Sequence, residues 1–193
     1  MLDEKKIKEV KLRIEQLVKR GDIIKEKEGK FTKFFLDNSK NSFNSAKLLL
    51  EVSSNTKLKD SLGYPDFNGL LWVINASYYS MFYMARALLE NNGIKIKADL
   101  SIHSVVFDSL IYYFYITGKL EKRFIEEFKE AELESYELLG KEKAKEIMED
   151  YLNEKDKRGK FTYEMGEIVM VTKAKTSIER ARRFNEEIRK LIE

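Results

Sequence analysis

Three places along the chain hold residues able to do chemistry. The first is the stretch NASYYSMFYMARALLENNG at 75–93, with four aromatics, several small residues and one arginine, Arg86. A guanidinium close to Tyr79, Phe82 and Tyr83 can stack on a ring, pair with a carboxylate such as Glu90, or hold an anion between helices. The second is His103, the only histidine, placed in the first turn of a helix that starts near residue 101. The positive end of that helix dipole favours a neutral imidazole, suited to packing, capping or proton transfer. The third is RGKFTY at 158–163, where Arg158 and Tyr163 are separated by four residues. Arginine binds phosphate through a planar fork of donors, and a phenol can hydrogen-bond a phosphate or be modified.

Other chemistries are excluded by what the chain lacks. It has no cysteine, so disulfides, thiolate metal sites and a cysteine nucleophile are out. With one histidine, a zinc site would rest on His103 and carboxylates alone, and a Ser-His-Asp triad could use only that imidazole. No phosphate loop, dinucleotide fingerprint or metal-ligand spacing occurs. No metal or cofactor is expected.

The elements that must position these residues are helical. Across 193 residues there is one proline, Pro65, and strands with alternation are almost absent. A first helix is expected over about 3–28, sticky along Ile7, Val10, Ile14 and Leu17, with Gly21 breaking or bending it. A second covers about 30–53 and presents Phe34, Leu36, Phe43, Ala46, Leu49 and Leu50. A loop at 54–65 follows, with Asp66 capping a third helix over about 66–92. There Leu71, Ile74, Tyr78, Met81, Ala85 and Leu88 repeat at 3–4–3–4–3 spacing, one continuous seam. Ala76, Ser77, Ser80 and Ala87 leave room for another backbone. Asn75, Tyr79, Phe82 or Tyr83, Arg86 and Glu90 form a further polar-aromatic stripe. Gly93 is a natural stop.

A fourth helix is predicted over about 101–117, capped by Ser101 or Asp99, and a fifth over about 120–156 with Gly140 interrupting it. The stretch FTYEMGEIVMV, 161–171, is rich in β-branched residues near its end and reads as extended. Thr172 would then cap a last helix, 173–192, lined by Val171, Ala174, Ile178, Ala181, Phe184, Ile188 and Leu191. The fold class is all-α, an up-and-down helical bundle over 30–193 with an N-terminal helical extension at 1–29.

Charge adds little to function. Thirty-six Lys and Arg face 33 Asp and Glu, net +3, and the signs are interleaved as in KEKEGK, the pattern of a solvated helix face. The mild basicity is compatible with nucleic acid without arguing for it. Hydrophobic content of 43% and mean hydropathy of −0.47 describe a soluble globular chain. Its apolar runs are too short for a membrane span and no signal peptide is visible, so a cytoplasmic location is expected.

Several stretches resemble a known family. ASYYSMFYMARALLENNGI at 76–94 is similar to the second helix of HEPN domains (higher eukaryotes and prokaryotes nucleotide-binding), whose common form is close to AYYAxFHAARALLxxxGI. SFNSAKLLLE at 42–51 resembles the preceding helix, and IKADLSIHSVVF at 96–107 the start of the next. The resemblance covers about 40–110 and extends to the last helix, but not residues 1–29. It implies a HEPN-type helical bundle in a prokaryotic-style setting, pairing as a homodimer. Arg86 matches the arginine of the ARALL pattern, and the aromatic and small residues around it would be mainly structural.

The resemblance also implies function. Many HEPN domains are metal-independent RNases, often toxins or defence effectors, with an Arg, four to six residues and a His near the last helix. Others bind nucleotide or RNA without catalysis, or pair with a minimal nucleotidyltransferase in toxin–antitoxin systems. RGKFTY falls where that motif would lie: Arg158 matches the arginine, while Tyr163 holds the histidine position and Gly159 replaces the usual polar neighbour. Tyrosine, with a pKa of about 10, is a poor general base near neutrality. The expectation is therefore a dimeric domain that binds nucleotide or RNA, or a nucleotidyltransferase. Tyr79, Tyr83 and Arg86 are candidate binding residues. The alternatives are an endoribonuclease using Arg158 with Tyr163 or His103, and a non-catalytic structural adaptor.

Overall fold

Helix α1, Glu4–Lys19, starts where Asp3 accepts a 2.8 Å hydrogen bond from the Lys6 N–H. It stops well short of residue 28. Gly21 adopts φ +73°, and the chain turns into strand β1, Ile23–Lys25. This corrects the single long helix predicted there: Ile23 and Ile24 have β-branched side chains, and a partner strand is available to satisfy their backbone. The partner is β2, Ile94–Ile96, antiparallel with Ile23 opposite Ile96. The sequence carried no alternation to announce a three-residue ribbon. The computed structural model describes residues 2–26, 29–97, 101–139 and 160–193.

Helix α2, Thr32–Ser54, and helix α4, Leu70–Asn91, form the most extensive pairing of the molecule. Between them the predicted loop contains a short helix, α3, Thr56–Ser61, capped by the Asn55 side chain on the Leu58 N–H. Asp66 does not cap α4, which begins four residues later behind Gly69. The α4 seam is as expected at Ile74, Tyr78, Met81, Ala85 and Leu88, all buried, but it begins at Leu70 rather than the half-buried Leu71. Small residues let α2 and α4 touch closely. The Ser39 hydroxyl donates to the Ser80 carbonyl at 2.8 Å, and the Ser80 hydroxyl donates to the Ser39 carbonyl at 2.9 Å. Phe34, expected on the inner face of α2, is exposed. Gly93 ends α4 with φ +72°, its N–H on the Glu90 carbonyl.

Helix α5, Ile102–Leu110, is shorter than predicted because it widens into a π-helical turn, Ile111–Tyr115, with the Ile116 N–H reaching the Ile111 carbonyl. Ser101 stands at its N-cap without a side-chain cap bond; Asp99 lies outside the described residues. Helix α6, Lys122–Leu139, covers the first half of the predicted fifth helix. The rest of it, with Gly140, lies outside the described residues.

The last helix, α7, runs Lys160–Lys190. This overturns two expectations. Residues 161–171 are helical rather than extended, and Thr172 lies inside the helix rather than at its cap. β-branched residues lower helix propensity by only a few tenths of a kcal/mol each, about the scale that tertiary packing overrides. Ala174, Ile178, Ala181, Phe184 and Ile188 are buried as predicted.

The architecture is an all-α bundle in which α4 touches α2, α5, α6 and α7. Val10, Ile14 and Leu17 of α1 are buried in the same cluster as Tyr78, Leu110, Ile111 and Phe128. A 2.8 Å ion pair between Arg13 and the buried Asp108 ties α1 to α5. Arg180, also buried, links α7 to Glu130 and Glu134 of α6. Among the described residues, no helix is long and apolar enough to cross a membrane.

Candidate functional site

The periodicity of α4 builds the site. Trp72, Ala76, Tyr79, Tyr83 and Arg86 recur at 4–3–4–3 spacing, on a different face from the buried seam. None of the five is fully buried, and Trp72 is exposed. Neighbouring helices extend this stripe into a row of rings. At one end the Arg86 guanidinium lies 4.6 Å from the centre of the Phe35 ring on α2. Phe35 stacks on Tyr83 at 6.5 Å, and Tyr83 lies 6.0 Å from Tyr79. Tyr79 meets the His103 ring edge-on at 5.9 Å, and His103 meets Tyr136 of α6 at 6.0 Å.

Cations gather at the Arg86 end. Lys30 and Lys95 both lie over the ring of the exposed Phe31, at 5.8 and 5.9 Å, with Lys95 also paired to Glu26. Glu90, one turn beyond Arg86, is buried and accepts the Phe31 N–H at 3.0 Å. Burial pulls Arg86 below its ordinary pKa, with Glu90 and Tyr83 opposing the shift. The sequence had offered Arg86 a ring or Glu90; the ring it takes is Phe35, from another helix.

His103 is held on several sides. Its ring stacks on Phe82 at 4.3 Å, and its Nδ1 lies 2.6 Å from the Tyr78 hydroxyl. Burial lowers the imidazole pKa, opposed by the nearby Glu132. Burial and the same Glu132 push the Tyr78 phenol up. A neutral phenol donates to a bare Nδ1 or accepts from Nδ1–H, so the contact fits either neutral tautomer of His103. Glu132 is buried and paired with Lys129.

The structure therefore brings four of the six sequence candidates, Arg86, Tyr83, Tyr79 and His103, into one row. Arg158 lies outside the described residues. Tyr163 falls in the first turn of α7. Phe35 and Tyr136 belong to the row and were missed. Neither has a motif. Each is one aromatic among many on its own helix, and only the packing of three helices aligns them.

Among the described residues, no group of three His, Asp or Glu side chains gathers as metal ligands. Compared with known protein families, curated proteins and solved structures, the chain matches none.

Proposed function

We propose that the chain is a HEPN-type helical domain that binds RNA or nucleotide through the row from Arg86 to Tyr136. The observation that carries this reading is the row itself: partly buried rings in series with Arg86 and Lys30 at one end. Base–aromatic stacking contributes about 1–3 kcal/mol per base and tolerates any sequence, while the cations supply the phosphate term. The resemblance at 76–94 supports the same class. It also supports a homodimer, or pairing with a minimal nucleotidyltransferase.

The residue at the motif's histidine position, Tyr163, favours binding over catalysis. RNA cleavage by the 2′-OH needs a group to take its proton. His103, whose Nδ1 contacts the Tyr78 hydroxyl, could take that proton only at Nε2, in the tautomer protonated at Nδ1. An endoribonuclease reading rests on Arg158 with Tyr163 or His103, and an adaptor reading on the absence of any ligand for the row.

Fluorescence anisotropy with a short labelled oligouridylate tests the proposal. Tyr79→Ala and Tyr83→Ala are each expected to weaken binding by about 1–3 kcal/mol, with affinity falling steeply as salt rises. Unchanged affinity in both variants rejects the row as the site. The same protein, incubated with RNA in EDTA beside Arg158→Ala, is expected to leave the RNA intact. Cleavage by wild type alone would establish the nuclease instead.

A further inference from the structure

Helices α2 and α7 pack against α4 but only lightly against each other. Between them runs an open groove that shares no residue with the aromatic row. One part has a volume of about 460 Å³, and an adjoining part about 210 Å³. Phe43 and Arg182 line both parts, so they form one trough. Its inner lining is apolar, from Phe43, Leu50, Met84 and Ile178. On α2 it extends from Ser39 to Ser54, about 22 Å at 1.5 Å per residue, the length of a four-turn helix.

The rim is unevenly charged. Arg182 is saturated by Glu179 and Glu186, at 2.9 and 3.0 Å. Outside that cluster Glu51 stands beside Lys40, Lys47, Lys175 and Arg189, so the rim as a whole carries five cations against three carboxylates. Lys40, Lys175 and Arg189 make no ion pair among the described residues. Four cations bordering an aliphatic floor ask for an occupant that is apolar on one face and acidic on its flanks.

We infer that this groove receives an acidic amphipathic helix from a partner protein. Its apolar side chains, at i, i+3, i+4 and i+7 spacing, would sit over Leu50, Ile178 and Met84. Its Glu and Asp residues would meet Lys40, Lys47, Lys175 and Arg189, which sets partner choice and on-rate more than raw affinity. Nucleic acid could answer the same charge. Among the described residues, however, the groove offers it only one ring, Phe43, which already lies beneath Lys47 at 5.8 Å.

The test is a selection on the full-length protein. The library is displayed helices of about fifteen residues, with leucines fixed along one face and the flanking positions randomised among Glu, Gln and Lys. Enrichment of Glu at the flanks is expected. The selected peptide, made synthetically, should bind roughly tenfold or more weaker, about 1.4 kcal/mol, to a Lys47→Glu/Lys175→Glu double variant with unchanged melting. Amide shifts should map to α2 and α7. No enrichment, a neutral or basic consensus, or equal binding to the double variant overturns the inference. Displacement of the peptide by oligouridylate at lower concentration than by free peptide assigns the groove to nucleic acid and also overturns it.

Discussion

Tyr78 stands where the core and the candidate site meet. Its ring is buried against Phe82 and Phe128, and its hydroxyl fixes His103. The two roles separate by substitution. Tyr78→Ala deletes a buried aromatic and is expected to cost about 3–5 kcal/mol in chemical denaturation. Tyr78→Phe keeps the ring and removes one hydrogen bond, for a loss of about 1 kcal/mol. It also frees Nδ1, so the imidazole signals in NMR should show a changed tautomer ratio. Equal losses in the two variants would mean the ring contributes nothing.

His103 predicts a direction with pH. Its folded pKa lies below the ordinary value, so the unfolded chain takes up the proton first as pH falls. Its contribution to stability is therefore complete above the unfolded pKa of about 6.5 and declines as pH drops below it. Asp108 acts the other way. Burial raises its pKa against the pull of Arg13, Lys6 and Lys129, so the folded chain binds that proton first. The His103 part is isolated by difference. Between about pH 7 and 5.5, across the histidine range, the melting temperature of wild type should fall more than that of His103→Gln. Parallel curves would show that the imidazole is not held neutral.

At the scale of elements, Gly93 joins helix α4 to the β1–β2 ribbon. It ends α4, and its carbonyl accepts the Glu26 N–H at 2.8 Å beside the β1–β2 ribbon. Its φ of +72° disfavours any side chain, and a Cβ there would run into the Glu26 carbonyl oxygen. An unstrained Gly–Ala exchange stabilises by about 0.4–1 kcal/mol, whereas Gly93→Ala is expected to destabilise by more than about 1 kcal/mol, because the ribbon must shift as well. A melting temperature within error of wild type would mean the ribbon moves freely. The stop at Gly93 was legible because glycine chemistry is local, and the α4 seam because its spacing is a property of one helix. The ribbon was not, since three residues with a partner some seventy positions away in sequence leave no period to read. The extended reading of 161–171 failed for a related reason: propensity at a few β-branched residues was weighed without the helix they continue into. In the site, Tyr79, Tyr83 and Arg86 were legible as a stripe on α4. Phe35 and Tyr136 were not, because they join it only through packing.

For the whole molecule, the open matter is whether residues 30–193 fold without α1, as the division at residue 29 expects. Val10, Ile14 and Leu17 are buried against the bundle. Burying an aliphatic side chain contributes about 1.5–3 kcal/mol, so the three together supply roughly 5–9 kcal/mol. That is of the same order as the whole stability of a domain, about 5–15 kcal/mol. Removing α1 also strips Arg13 from Asp108, leaving a carboxylate buried at 2% exposure beside Glu132. A chain lacking residues 1–20 is therefore expected to keep helical far-ultraviolet circular dichroism but lose its sharp melting transition. Arg13→Ala, which orphans Asp108 and keeps the apolar stripe, should retain a cooperative transition with stability lower by about 2 kcal/mol. A truncated chain that melts cooperatively near the wild-type temperature would show instead that the bundle is complete from α2 onward, with α1 an addition to it.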